Sequence, residues 1–243
     1  LEYYGNNTCS TRSLLQCCLE TGVKHVVFSS TAAVYGIPAE GVAAESSPTA
    51  PINPYGTSKL MSEWMLRDVS AASDLKHVAL RYFNVAGSDS QCRVGQATPK
   101  ATLLVKVACE VAVGKRPHIS IFGTDYPTPD GTGVRDYIHV EDLATAHLNA
   151  LDYLRAGGTS TVLNVGYGHG YSVREVLQSV ERVTGGRLKV VEEPRRAGDP
   201  AALVARADRI RHELGWKPLL DDLDTIVRTS LAWEKRLLLE PWA

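Results

Sequence analysis

The sequence predicts an α/β protein in which a parallel sheet is flanked by helices. Three observations carry that prediction. Short continuous apolar runs recur, each ending in small or polar residues, as in "KHVVFSS" (24–30) and "KHVALRYF" (76–83). Such runs mark parallel strands that are buried on both faces. Between them lie longer stretches with apolar residues at helical spacing. The two kinds of segment alternate along the chain, with no internal repeat and no low-complexity stretch, as expected of a helix-covered parallel sheet.

The elements follow in order. Residues 7–21 read as a helix, with Leu14, Leu15, Cys18 and Leu19 at helical spacing and Gly22 as the stop. "KHVVFSS" is the first buried strand, and the Pro-, Gly-, Ala- and Ser-rich residues 36–54 are loop. A helix runs from about Pro54 to Ala72, since proline is tolerated in a first turn. "KHVALRYF" is the second strand, and the polar residues 84–99 are loop. "TLLVKVACEVAVG" (102–114) is a helix closed by Gly114. "HISIFG" (118–123) is a strand, "DYPTPDGTGVRDY" (125–137) a turn-rich loop, and residues 140–154 a helix. "STVLNVG" (160–166) and "LKVVEE" (188–193) are strands on either side of a helix at 172–185. Two further helices lie near 207–214 and 222–239.

Composition narrows the function classes. With 243 residues, 44% hydrophobic and 22% charged, the chain has the profile of a soluble globular protein with one large domain or two small ones. Its 26 basic and 27 acidic residues nearly cancel, and no Lys/Arg run exceeds pairs such as Arg195-Arg196, so nucleic acid is not the expected partner. Cys9, Cys17, Cys18, Cys92 and Cys109 show neither C-x-x-C nor Cys/His ligand spacing. They read as reduced thiols in a cytosol, with no metal site and no disulfide framework. No apolar run reaches the length of a membrane span. The chain opens "LEYYGNNTCSTRSLL", without Met or a signal-like region, and turns helical within a few residues. It reads as a fragment entered in mid-domain.

The chemistry centres on "NPYGTSKLMSEW" (53–64). Tyr55 and Lys59 stand one helical turn apart on one face. An ammonium beside a phenol favours the phenolate, so the pair is either a proton-transfer unit or an ordinary helix carrying an exposed lysine. Y-x-x-x-K alone decides nothing, because ten tyrosines make chance pairs common. Its context is more telling. Ligands of parallel α/β sheets bind outside the carboxyl ends of the strands. Ser29, Ser30 and Thr31 end the strand before this helix, and "RYFN" ends the strand after it. A hydroxyl, a tyrosine and a lysine in that arrangement make a plausible acid–base unit. A second motif, "NVGYGHGYSV" (164–173), mimics a dinucleotide fingerprint, with Glu192 and Glu193 about twenty residues on. Tyr171 occupies the third glycine position, which favours a tight turn with a helix cap.

The ordered set "SSTAAVYG", "NPYGTSK", "LRYFNVAG", "IFGTDYPTPDGTGVRDYIHVEDLA" and "RRAGDPAAL" resembles the UDP-glucose 4-epimerase family of the extended short-chain dehydrogenase/reductases, from residue 1 to about 235. The resemblance implies a partial Rossmann-like sheet over residues 1–84 and a smaller mixed α/β substrate-binding domain over 85–243, with 137–168 packing back on the first. It also implies NAD as cofactor, a UDP-sugar as substrate, a homodimer and a cytoplasmic enzyme. Tyr55 would take the proton of the sugar 4-hydroxyl while hydride passes from C4 to NAD, with Lys59 lowering the phenol pKa and Thr31 bonding the 4-oxygen. Asn6, Ser29, Ser30, Tyr55, Lys59 and Tyr82 would face the cofactor. Asn84 would face the substrate diphosphate, Arg135 and Arg196 would grip it, Asp199 would take the uridine ribose, and Phe122 would lie in the uridine pocket. Thr102 stands where the family carries Asn or His. Leu203 lies near a position where side-chain size governs acceptance of N-acetylated sugars, which implies a preference for UDP-glucose and UDP-galactose with some tolerance of UDP-GlcNAc.

The family's Gly-rich NAD loop has no counterpart in the chain, so residues 1–243 alone are expected neither to hold NAD tightly nor to epimerise. A dTDP-glucose-type dehydratase would show Thr-Asp-Glu after "SS", where this chain has "STAAVYG". A UDP-glucuronate epimerase or decarboxylase shares Tyr, Lys and hydroxyl and stays open. So does a non-catalytic sugar-nucleotide-binding fragment, although a binder needs no acid–base unit.

Overall fold

A computed structural model describes residues 1–239 of the protein. A π-helical turn, Tyr4–Cys9, leads into α1 (Ser10–Glu20), β1 (His25–Thr31), β2 (Val42–Ala43), α2 (Pro54–Ala72), β3 (Lys76–Tyr82) and β4 (Asn84–Ala86). Next come α3 (Leu104–Ala112), β5 (Ile119–Phe122), β6 (Val134–Arg135), β7 (Tyr137–His139), α4 (Val140–Arg155), β8 (Thr161–Val165) and β9 (Tyr171–Ser172). The chain finishes with α5 (Val173–Thr184), β10 (Val190–Glu193), β11 (Ala202–Ala205), α6 (Asp208–Leu214) and α7 (Leu223–Leu239). These elements form two compact units.

The first unit comprises Leu1–Phe83, Ala144–Gly168 and Ala205–Lys217. Its sheet has the order β1-β3-β8 and is parallel throughout. Register sets Thr31 beside Tyr82 and Tyr82 beside Val165, so three strands end at one level. That level is where a parallel sheet presents ligand-binding residues. Beside the sheet, α1 and α2 bury Leu15, Cys18, Leu66 and Leu75 against Val26, Phe28, Met65 and Val69. Asn53 caps α2 by accepting from the Gly56 amide at 2.9 Å. A Cβ on Gly56 would stand 2.5 Å from the Ala33 carbonyl oxygen, so glycine alone lets this helix start approach the turn after Thr31.

The strand "KHVALRYF" also hides a charge. Arg81 is buried and donates to both carboxylate oxygens of Glu63, at 3.0 and 2.6 Å, and to the Tyr35 hydroxyl at 3.0 Å. Tyr35 donates in turn to Asn164 at 2.7 Å. A buried guanidinium survives only when so partnered, and the fork ties α2 to the central strand.

The second unit comprises Asn84–Leu143, His169–Val204 and Pro218–Ala243. Its strands form small separate pairings. β4 runs parallel to β7, and β5 parallel to β10. β6 lies parallel to β11 and antiparallel to β9, setting Arg135 opposite Leu203 and Tyr171. Helices α3, α5 and α7 pack together. Between them Lys106 pairs with Glu234 and, at 3.3 Å, with Glu110, while Lys115 reaches Glu234 at 2.9 Å.

The structure departs from the sequence reading where elements are shortest. The helix expected over 7–21 begins as a π turn and becomes α-helical only at Ser10. β4 lies inside the expected loop 84–99, β6 inside the loop 125–137, and β11 follows the "RRAGDP" turn. Strands of two to four residues carry too few positions to show a period. The three-stranded parallel sheet lies in the first unit, and the second unit mixes parallel pairs with the antiparallel β6–β9 pair, in keeping with the smaller mixed α/β domain expected there. The segment 205–217, expected in the second domain, groups with the first unit; of the stretch 137–168 expected to pack back on the first domain, 144–168 groups with the first unit and 137–143 with the second. The run 164–173 closes β8 and opens α5, where Ser172 and Glu175 exchange the reciprocal bonds of a capping box.

Candidate active site

The first unit gathers proton-handling groups at the ends of β1 and β3. Thr31 ends β1, and its Oγ1 accepts from the Ala33 amide at 3.1 Å. That leaves its O–H free to donate to Tyr55, which lies in the first turn of α2. Burial pushes the Tyr55 phenol above its ordinary value, and the Thr31 bond works against that rise. The Tyr3 ring meets the Tyr55 ring edge-on, centroids 5.7 Å apart.

The sequence reading expects Lys59 to lower the Tyr55 pKa, and in this structure the hydrogen bond of Lys59 goes to β1. Its ammonium donates to the Ser29 carbonyl at 3.0 Å and lies 5.1 Å from the centroid of the Phe28 ring. Burial lowers its own pKa. With the ammonium turned toward β1, the dominant influence on the phenol is desolvation.

The other expected cofactor residues divide. The Ser29 hydroxyl meets His147 Nε2 at 3.0 Å, and the His147 ring stands 6.4 Å from that of Tyr82. Ser30 is a correction: it is fully buried and donates to Glu63, so it belongs to the Arg81 network and cannot face a cofactor in this arrangement. Asn6 is exposed in the π turn, while its neighbour Asn7 donates to the Ser58 hydroxyl at 2.9 Å.

The second unit carries a cleft of about 710 Å³, within the size range of small-molecule sites. Asn84, Thr102, Phe122, Arg135, Arg196 and Asp199 all line it. The Arg196 guanidinium lies 3.5 Å from the centroid of the Phe122 ring and forms no ion pair among the described residues. Arg135 stands 3.9 Å from the Asp199 carboxylate, near enough for attraction and too far for a hydrogen bond. Two weakly engaged guanidinium forks, an aromatic face and one carboxylate suit an anion joined to a flat ring and a sugar. Leu203 is half-buried in β11 and is not among the lining residues. Lys100 and Arg116 line the cleft unforeseen, as does Tyr126. His147 was also missed, since a lone histidine on a helix gives no sign of which hydroxyl it will meet.

Residues 1–166 match the profile of the NAD dependent epimerase/dehydratase family. The chain belongs to that family. A UDP-glucose 4-epimerase of Azospirillum brasilense is 59% identical over 237 residues, covering 98% of this chain and 68% of that protein. The solved UDP-Glc/GlcNAc 4-epimerase of Campylobacter jejuni is 55% identical, with a TM-score of 0.82 over 97% of this chain and 72% of that one. The UDP-glucose 4-epimerase of Bifidobacterium longum, solved with NAD+ and UDP, superposes with a TM-score of 0.91 at 43% identity, over 97% of this chain and 70% of that one. Family membership thus extends to the Rossmann-like parallel sheet with its neighbouring helices. No described helix is long and apolar enough to cross a membrane.

Proposed function

We propose that the protein serves the interconversion of UDP-glucose and UDP-galactose. The observation that carries this reading is the pairing of chemistries within one epimerase-family chain. One unit presents Tyr55 hydrogen-bonded by Thr31, and the other a cleft with Arg135 and Arg196 beside Phe122. A hydroxyl–phenol pair moves protons at an alcohol carbon. An arginine-lined cleft with an aromatic face fits a nucleoside diphosphate.

NAD fits the strand ends of the first unit. The half-buried Lys59 ammonium uses one donor on Ser29 and retains others suited to ribose hydroxyls, and the Tyr82 ring closes the neighbouring strand. Lys59 and Tyr82 would hold the nicotinamide end. When bound, NAD would supply a hydride acceptor and donor for the sugar C4, with inversion following when the hydride returns to the opposite face of the turned 4-keto sugar. Tyr55 takes the proton of the 4-hydroxyl and gives it back, and Thr31 holds the oxygen while the proton is away. Because burial keeps the proton on Tyr55 near neutrality, the first step draws on the Thr31 bond and on the positive charge of Lys59. In the second unit, Arg135 and Arg196 hold the diphosphate with Asn84, Asp199 takes the ribose, and Phe122 with Thr102 borders the base.

Because residues 1–243 alone are not expected to epimerise, the test is conversion of UDP-galactose to UDP-glucose with NAD supplied, by a protein that joins these 243 residues to the family's Gly-rich NAD loop and by its Tyr55→Phe variant. Conversion that disappears in the variant supports the reading, and equal conversion by both contradicts it. We further propose that UDP-GlcNAc is accepted with a lower kcat/KM, as the Campylobacter relative's name and the Leu203 side chain suggest, and equal values would contradict this. A homodimer in the cytosol completes the proposal, checked by light scattering and cell fractionation.

A further inference from the structure

Of two adjacent arginines only Arg196 lines the cleft, and the family resemblance gives a role to it alone. Arg196 lies over Phe122, whereas Arg195 is bound to the segment just beyond that ring. Its Nε donates to the Asp125 carboxylate at 2.6 Å, a second nitrogen donates to the Asp125 carbonyl, and its guanidinium lies 4.2 Å from the centroid of the buried Tyr126 ring. The contact is built into the backbone at Gly123, whose φ is +86°. A Cβ there would stand 2.6 Å from both the Arg195 Cγ and the Tyr126 ring, so the slot between them exists only because residue 123 is glycine.

Strand register explains why the pair lands there. β5 and β10 are parallel, with Phe122 opposite Glu193, and the Gly123 amide donates to the Glu193 carbonyl at 2.9 Å. The two strands therefore emerge together, and residues 195 and 196 reach back to the segment that follows β5. Past β10, "PRRAGDP" (194–200) has no ladder of its own until β11 begins at Ala202. Arginine side chains lose much rotamer freedom when they bind, so an arginine on an untethered loop grips a phosphate less well.

We infer that Arg195 is a positioning residue: by clasping Asp125 and Tyr126 it fixes the stretch that presents its neighbour Arg196 to the diphosphate. The inference rests on the nucleoside-diphosphate reading of the cleft. Asp125 is held below the ordinary carboxylate range by Arg195, so the clasp is charged at neutral pH.

Calorimetry with UDP and with uridine tests it. Arg195→Ala should weaken UDP about tenfold, the equivalent of ~1.4 kcal/mol, and leave uridine within about twofold, because the loop it frees carries the phosphate-binding arginine. Asp125→Ala should reproduce part of that loss. Arg196→Ala should weaken UDP strongly in the wild-type background and add little in the Arg195→Ala background, since an unpositioned Arg196 contributes little. Unchanged UDP affinity in Arg195→Ala overturns the inference, as does equal weakening of UDP and uridine, which would show general damage to the cleft. Strict additivity of the two arginine variants also overturns it. If the wild-type protein binds uridine but gains nothing from the diphosphate, the nucleotide reading itself fails, and that result is distinct from the others.

Discussion

The two units place their working groups in opposite ways. In the first, the reacting hydroxyls sit on regular structure: Thr31 ends a strand, and Tyr55 lies in the first turn of a capped helix. Buried neighbours hold them, and desolvation sets their chemistry, raising the Tyr55 phenol and lowering Lys59. In the second, Arg196 and Asp199 lie on an exposed turn, with their charges open to solvent. Proton transfer needs fixed geometry and a tuned pKa, which rigid burial provides. Capture of a charged ligand needs reach and full charge, which a tethered loop provides.

Breaking the phenol should have the largest effect. Tyr55→Phe should lower turnover of UDP-galactose by ~10²–10⁴-fold, the span of general acid–base contributions, and leave UDP affinity unchanged by calorimetry. Breaking the grip should come next. Arg196→Ala removes charge-assisted bonds worth about 1.5–3 kcal/mol, so UDP should bind ~10–100-fold more weakly, with no change in the titration of Tyr55. Should either variant disturb the other unit's readout as strongly as its own, the contrast between the units fails.

A finer test uses pH. Turnover should rise with pH as Tyr55 loses its proton, and the rise should extend above neutrality because burial lifts the phenol. The Thr31 bond lowers that pKa, so Thr31→Ala should move the rising limb to higher pH, as read from kcat/KM profiles. A limb that stays in place would remove Thr31 from the proton path.

The smallest effect concerns stability, and here the units should agree. Each buries a histidine whose pKa is lowered, first by burial: His77 in the first and His139 in the second. The His139 Nδ1 accepts from the Glu141 amide at 3.1 Å, which fixes the neutral ring with its proton on Nε2, next to Thr229. A depressed folded pKa means that the unfolded chain takes up the proton first. The stabilisation is therefore complete above about pH 6.5 and is lost as pH falls below it. Thermal melts between pH 7.5 and 5.5 should show Tm falling, with a shallower fall in His77→Gln.

How much of this was legible in the sequence follows the same division. β1, α2 and β3 could be read because they are long enough to show a period and a cap, and they deliver Thr31, Tyr55 and Tyr82 to one level. Lys59 was placed correctly on its helix, but its partner was not, because a flexible ammonium chooses between nearby oxygens by local geometry. Ser30 misled because adjacent residues of a strand point to opposite faces, and its face holds the Glu63–Arg81 pair. In the second unit, Phe122, Arg135, Arg196 and Asp199 could be named only from the ordered motifs, and no pattern marked Arg195. Nothing in "RR" says which guanidinium stacks on which ring, since that is decided by how β10 registers against β5.

The central claim is that nucleotide capture belongs to the second unit and proton transfer to the first. Calorimetric titration of UDP into the wild type, Tyr55→Phe and Arg196→Ala tests it most directly. The account predicts indistinguishable UDP affinity for the wild type and Tyr55→Phe, and at least about tenfold weaker binding by Arg196→Ala. Equal weakening in both variants, or full UDP affinity in Arg196→Ala, would contradict it.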